Sequence, residues 1–197
     1  MKNIMNSIST IVIIGIRVLL LLNIIRNFYI NNYYFVLIGV AALTLTFLTT
    51  IYCKLFKNKG NNLLNFSITF FVFLSLYLGT LNGFYKFPWW DTMLHFVSGI
   101  LIGLLAIILM NALNGNKDLK SYLSPKFIFL YIISFVALSG VLWEIYEFTI
   151  DTLFGLDMQG VSFTGVTDTM EDFIAALIGG IIPAFYGYIT FKDKFNS

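Results

Sequence analysis

Six stretches of the chain are continuously apolar over about 8–30, 33–53, 63–85, 89–113, 126–150 and 169–191, with short polar connections between them. Each is long enough to cross a hydrocarbon core that needs roughly 20 helical residues. None alternates apolar and polar positions, the pattern of a barrel strand. The pattern therefore predicts an all-α, polytopic integral membrane protein. We expect a bundle of six transmembrane helices forming one domain over 1–197.

Polar residues interrupt these runs at few places. The first stretch carries Arg17, Asn23 and Arg26 and extends well past a signal-peptide core, so it is expected to be retained as a helix. Trp89 and Trp90, at the start of the fourth, read as an interfacial aromatic anchor. The main exception lies at the end of the fifth, where Glu144, Glu147 and Asp151 fall within Trp143–Asp151. Carboxylates at membrane depth cost several kcal/mol on insertion scales, and such residues mark functional sites by default.

Composition agrees with the pattern: 58% of residues are hydrophobic and 11% charged, against about 25% charged in a soluble domain. Cys53 is the one cysteine, so no internal disulfide can form, and a lone thiol near a helix end reads as packing. The net charge of +2 conceals a spatial sorting. With the N-terminus inside, the cytoplasmic segments would hold nine lysines (Lys2, Lys54, Lys57, Lys59, Lys117, Lys120, Lys126, Lys192 and Lys194), and the outer segments only Arg26 and Lys86. Short loops rich in Lys and Arg stay in the cytoplasm, so both termini are expected there. Eight of the ten acids, all but Asp118 and Asp193, then fall at the outer face, together with the one histidine, His95.

Helical spacing decides which of these can meet. Positions three, four and seven apart share a face, which groups Asp91 with His95, Glu144 with Glu147 and Asp151, and Asp168 with Asp172. The same faces continue inward through Gly99, Gly103 and Ala106, through Gly140 and Ala137, and through Ala175, Ala176 and Gly179. Small residues let transmembrane backbones approach closely, so the acidic faces are expected to point at one another. Between the fifth and sixth spans, 152–167 reads as an outer loop over the site.

So many carboxylates cannot remain charged and unpaired in a low dielectric. A divalent cation (Mg, Mn, Zn or Ca) would answer the charge, since oxygen-rich sites with one imidazole suit such ions. The expected metal ligands are Asp91, His95, Glu147, Asp168 and Asp172; Glu144 is the candidate catalytic base; Asp151, Gln159 and Arg26 are candidates for supporting or substrate contacts. Local explanations compete for some of these. Asp168 with Glu171 reads equally as a helix-capping pair, and Asp91 after Pro88 is favoured by the first-turn dipole. Glu144 and Glu147 lie near a helix C-terminus, where the dipole disfavours acids, so they need another reason.

The ordered set Asp91-x-x-x-His95-Phe96, Glu144-x-x-Glu147, Gln159-Gly160, Asp168-Thr169-x-x-Asp172 and Ala175-x-x-x-Gly179 resembles the YjdF-like family of bacterial inner-membrane proteins. The likeness covers about residues 85–185. It implies a multi-pass protein of the bacterial cytoplasmic membrane and these site residues, and it implies no reaction. The first and last pieces also look like the VanZ-like family, without an arginine between the acids.

Three functional readings follow. A metal-dependent hydrolase or transferase would act on a lipid or lipid-linked phosphate at the outer leaflet. A cation- or proton-coupled transporter would use the acids as its outer binding site, although no acid relay continues inward. A structural or partner-docking cluster would do neither. The bilayer is the expected partner, and nucleic acid is not.

Overall fold

The computed structural model describes residues 2–48, 50–51, 62–114 and 122–195. The expected end of the second span at 52–53, Cys53, and the lysines at 54, 57, 59, 117 and 120 lie outside the described residues. All regular structure among the described residues is helical: α1 (Lys2–Tyr29), α2 (Tyr33–Leu45), α3 (Asn62–Val72), α4 (Pro88–Leu113), α5 (Pro125–Phe154), the single turn α6 (Val161–Thr164) and α7 (Thr167–Phe195). Among the described residues, five helical stretches are long and apolar enough to cross a membrane: Ser7–Tyr29, Leu64–Leu81, Pro88–Leu113, Pro125–Phe154 and Thr167–Lys192. The fold is two compact units, Met1–Trp90 and Asp91–Ser197.

In the first unit α1 packs against α2 and α3 over a core of Ile16, Leu20, Ala42, Val72 and Leu81. The turn into α2 passes through Asn31 at φ 58°, and Asn32 caps the helix by accepting the Phe35 N–H at 3.3 Å. The second predicted span differs from its expected form. α2 has 13 residues, about 20 Å at 1.5 Å per residue, and its α-helix stops at Leu45. Arg17 binds at the break: its Nε donates to Thr46 Oγ1 at 3.1 Å, its Nη2 donates to the Thr46 carbonyl at 2.8 Å, and its guanidinium lies 3.8 Å over the Phe47 ring. A guanidinium within an apolar span thus finds acceptors that an unbroken helix would use itself.

The third predicted span also departs from a plain α-helix. α3 changes after Val72 into a π-helical segment, Phe73–Leu81, and Gly83 at φ 72° ends it ahead of the short 3-10 turn Phe84–Lys86. Trp89 is exposed, as an interfacial anchor requires. Trp90 is not an anchor: it is 6% exposed, with its ring 4.9 Å from that of Phe84. Side chains one residue apart on a helix point in different directions, which separates the two tryptophans.

In the second unit α5 runs against α7 over Ala106, Met110, Ile128, Ile132, Ala184 and Phe191. Ser124 caps α5 through the Phe127 N–H at 3.2 Å, with Pro125 at its first position. The helix extends past the expected residue 150 to Phe154, where Gly155 at φ 66° closes it by donating its N–H to the Asp151 carbonyl. The expected small-residue seams are present between α4 and α7. A methyl group added at Gly99 would run into the Ala176 carbonyl oxygen, one at Gly179 into the Phe96 carbonyl oxygen, and one at Gly103 into the Pro183 ring. A methyl added at Gly140 on α5 would sit 3.0 Å from the Phe173 ring, a tight contact that a small shift of the ring relieves.

Candidate metal centre

The α4–α7 seam determines which polar groups meet. Gly99 lies one turn beyond His95, and Ala176 one turn beyond Asp172, so close approach of the two backbones brings these side chains to the same level. His95 Nε2 is 3.4 Å from Asp172 Oδ2 and 3.8 Å from Asp91 Oδ1. One ligand atom from each of the three residues lies within 4.8 Å of the others. The imidazole is 15% exposed, the Asp172 carboxylate 5% and the Asp91 carboxylate 34%, so the group opens on the Asp91 side.

The donor chemistry fits a divalent ion. Oxygen and nitrogen ligands sit about 2.0–2.2 Å from Zn²⁺ or Mg²⁺ and about 2.3–2.6 Å from Ca²⁺, so two atoms on one ion stand at most roughly 4.4 Å apart in the first case and roughly 5 Å in the second. The 4.8 Å spread is within reach of Ca²⁺, and a smaller ion would draw the three side chains together by ~0.4 Å or more. Three protein ligands leave coordination positions free, as catalytic sites do and closed structural sites do not.

The other expected site residues surround this group in distinct arrangements. Glu147 is buried, and its Oε1 accepts the Trp143 indole N–H at 2.9 Å. Glu144 is buried as well; its Oε2 lies 3.2 Å from the Gln159 side-chain amide, which donates to it. Asp168 is half-buried beside Gly160, where an added methyl would come within 2.7 Å of Asp168 Oδ2. Glu144 and Asp168 are near enough to act electrostatically on both Asp91 and His95, and Glu144, Asp91 and Asp172 act on Glu147. Asp151 has turned away from its helical neighbours, and its two oxygens accept the Met158 N–H at 2.8 Å and the Gln159 N–H at 3.1 Å. Arg26 is exposed in the last turn of α1 and belongs to the first unit.

The segment after α5 is more ordered than a plain loop. Besides the Asp151 contacts, Asp157 accepts the Ser162 N–H at 3.2 Å at the start of α6. Trp143 is the side chain that the carboxylate pattern alone passed over; its signal was the four-residue spacing to Glu147 on one helix face.

No lysine or arginine occurs from Asp91 to Asn116 or from Phe127 to Phe191, so the chain supplies these stretches with no cationic partner of their own. Among the described residues, and apart from the two backbone N–H groups that Asp151 accepts, the contacts of the α4, α5 and α7 carboxylates are with one imidazole, one indole N–H and one side-chain amide.

A family model described as "Predicted membrane protein (DUF2238)" matches residues 8–193. The match is consistent with the YjdF-like resemblance; no named relative bears on that resemblance or on the VanZ-like one. No curated protein and no solved structure matches the chain.

Proposed function

Because the chain belongs to this family of predicted membrane proteins, a membrane-embedded site is the premise from which we propose that Asp91, His95 and Asp172 hold a divalent cation. We further propose that the protein is a metal-dependent enzyme acting on a lipid or lipid-linked phosphate. The observation that carries this reading is the one cluster among the described residues of imidazole and carboxylate ligand atoms within 4.8 Å, bordered by further buried acids and by no lysine or arginine from its own stretches of chain.

When bound, the ion would polarise a phosphoryl oxygen and lower the cost of charge developing on it. The protein's own groups account for the rest. Glu144, held by Gln159, is placed to accept a proton from an attacking water or hydroxyl. Trp143 fixes Glu147 as a neighbouring ligand or as a source of negative field. Asp168 lies one turn from Asp172 and extends the same face toward Gly160. The apolar surface of the spans brings a lipid substrate by lateral diffusion, so only its headgroup needs to reach the polar end.

Elemental analysis of purified, metal-replete protein should find about one divalent ion per chain. Release of phosphate or headgroup from vesicle lipids should require that ion. It should fall by at least about 100-fold in Glu144→Gln while the ion is retained, since general bases contribute 10²–10⁴-fold. Wild-type protein without metal would remove the metal reading; cation flux through liposomes without turnover would replace the enzyme by a transporter.

From the lysine distribution we propose that this site faces the outer side of the bacterial cytoplasmic membrane. In a Cys53→Ser background, a membrane-impermeant maleimide added to intact cells should label Leu156→Cys and leave Tyr122→Cys unlabelled. Both positions are exposed, so the contrast reports sidedness. The reverse pattern would put the site in the cytoplasm.

A further inference from the structure

The segment 155–160 touches the carboxylate cluster at two points and is anchored at a third. Both oxygens of Asp151 are occupied by consecutive backbone N–H groups, those of Met158 and Gln159. A bidentate carboxylate of this kind holds the returning chain in one register and leaves the Gln159 side chain directed back along α5. That side chain donates to Glu144 Oε2 at 3.2 Å, with the Glu144 carbonyl at 3.5 Å. The next residue, Gly160, takes φ 62°, and any side chain there would meet Asp168 Oδ2. The strap therefore rests on Glu144 of α5 and Asp168 of α7, the two acids whose charges act on His95 and Asp91.

We infer that Asp151, Gln159 and Gly160 form a latched strap across the mouth of the Asp91/His95/Asp172 group, and that opening this latch controls access to His95. The inference rests on the preceding reading only for what enters; the covering itself can be tested without metal. Asp151 and Gln159 are positioning residues here. Gln159 joins the strap to Glu144, so opening also frees that carboxylate from its amide partner.

His95 is the only histidine in the chain, so its modification by diethyl pyrocarbonate reports access directly, provided the protein is purified without a histidine tag. In metal-free wild-type protein the reaction should be slow, as expected for an imidazole that is 15% exposed. Asp151→Asn weakens a charge-assisted pair of bonds and Gln159→Leu removes the tether at similar volume; each should speed the modification by roughly tenfold. Asp157→Asn, which alters the same segment at Ser162, should leave the rate at the wild-type value. Rates within twofold of wild type in both latch variants would overturn the strap. Hydrogen exchange at Met158 and Gln159 should accelerate in Asp151→Asn, and unchanged protection there would equally overturn it. Protection of wild-type His95 by Mn²⁺ or Zn²⁺ tests the metal reading separately. If neither ion protects while the latch variants react fast, the metal reading fails and the strap stands.

Discussion

Asp172→Asn and His95→Ala are each expected to lower divalent-ion affinity by more than about 100-fold, beyond the 10–100-fold typical of losing an outer-shell partner. Isothermal titration or equilibrium dialysis with Mn²⁺ and Zn²⁺ checks this. Asp172 is 3% exposed, with His95 Nε2 3.4 Å from its Oδ2, so a charge on it is costly when no ion is bound. The asparagine variant is nearly isosteric and removes that charge. The metal-free protein should therefore melt no lower than wild type, while the stabilisation that wild type gains from added ion should vanish. Loss of stability in both conditions would instead identify Asp172 as a structural residue. The sign with pH follows from the ligands. An ion displaces protons from carboxylates and imidazole, so wild-type affinity should fall as pH is lowered, and His95→Ala should remove the imidazole's share of that dependence.

The second large effect is expected at the α4–α7 seam. Gly99→Val and Gly179→Val each place side-chain carbons where a backbone carbonyl of the facing helix already stands, that of Ala176 or Phe96. A flexible side chain can move aside, but a helical carbonyl moves only with its helix. The cost should reach or exceed the upper end of the usual overpacking range, about 3 kcal/mol. Because Gly99 is four residues from His95 and Ala176 four from Asp172, the same displacement should pull the ligand atoms beyond reach of one ion. Unfolding in mixed micelles and ion content should therefore fail together. Gly15→Val is the matched control: nothing lies within 4 Å of a methyl at Gly15, and its variant should unfold at nearly the wild-type midpoint.

The carboxylate pattern made part of this site legible in advance. Spacings of four pair Asp91 with His95 and Asp168 with Asp172, because a helix face repeats at that interval whatever surrounds it. The small residues beyond each pair indicated that two helices could approach closely. The same spacing was less informative for Glu144, Glu147 and Asp151, which share a stripe yet have different partners: an amide, an indole and two backbone N–H groups. Backbone donors carry no residue signature, so no spacing rule could assign Asp151 to Met158 and Gln159. The second predicted span shows a related limit. Its hydropathy continues past Leu45, but Arg17, 29 positions from Thr46, meets a helix break that hydropathy does not record.

The sequence by itself determined that this is an all-helical membrane protein, because apolar runs of membrane-spanning length satisfy their backbone only as helices or barrels and these runs do not alternate. It also determined which acids share a helix face. Only the tertiary structure decided that His95 is shared by Asp91 and Asp172 while Glu144 and Glu147 turn to Gln159 and Trp143. Those choices depend on how closely α4 meets α7, and the closeness is set by backbone carbonyls seated against Gly99 and Gly179, contacts between residues far apart in the chain.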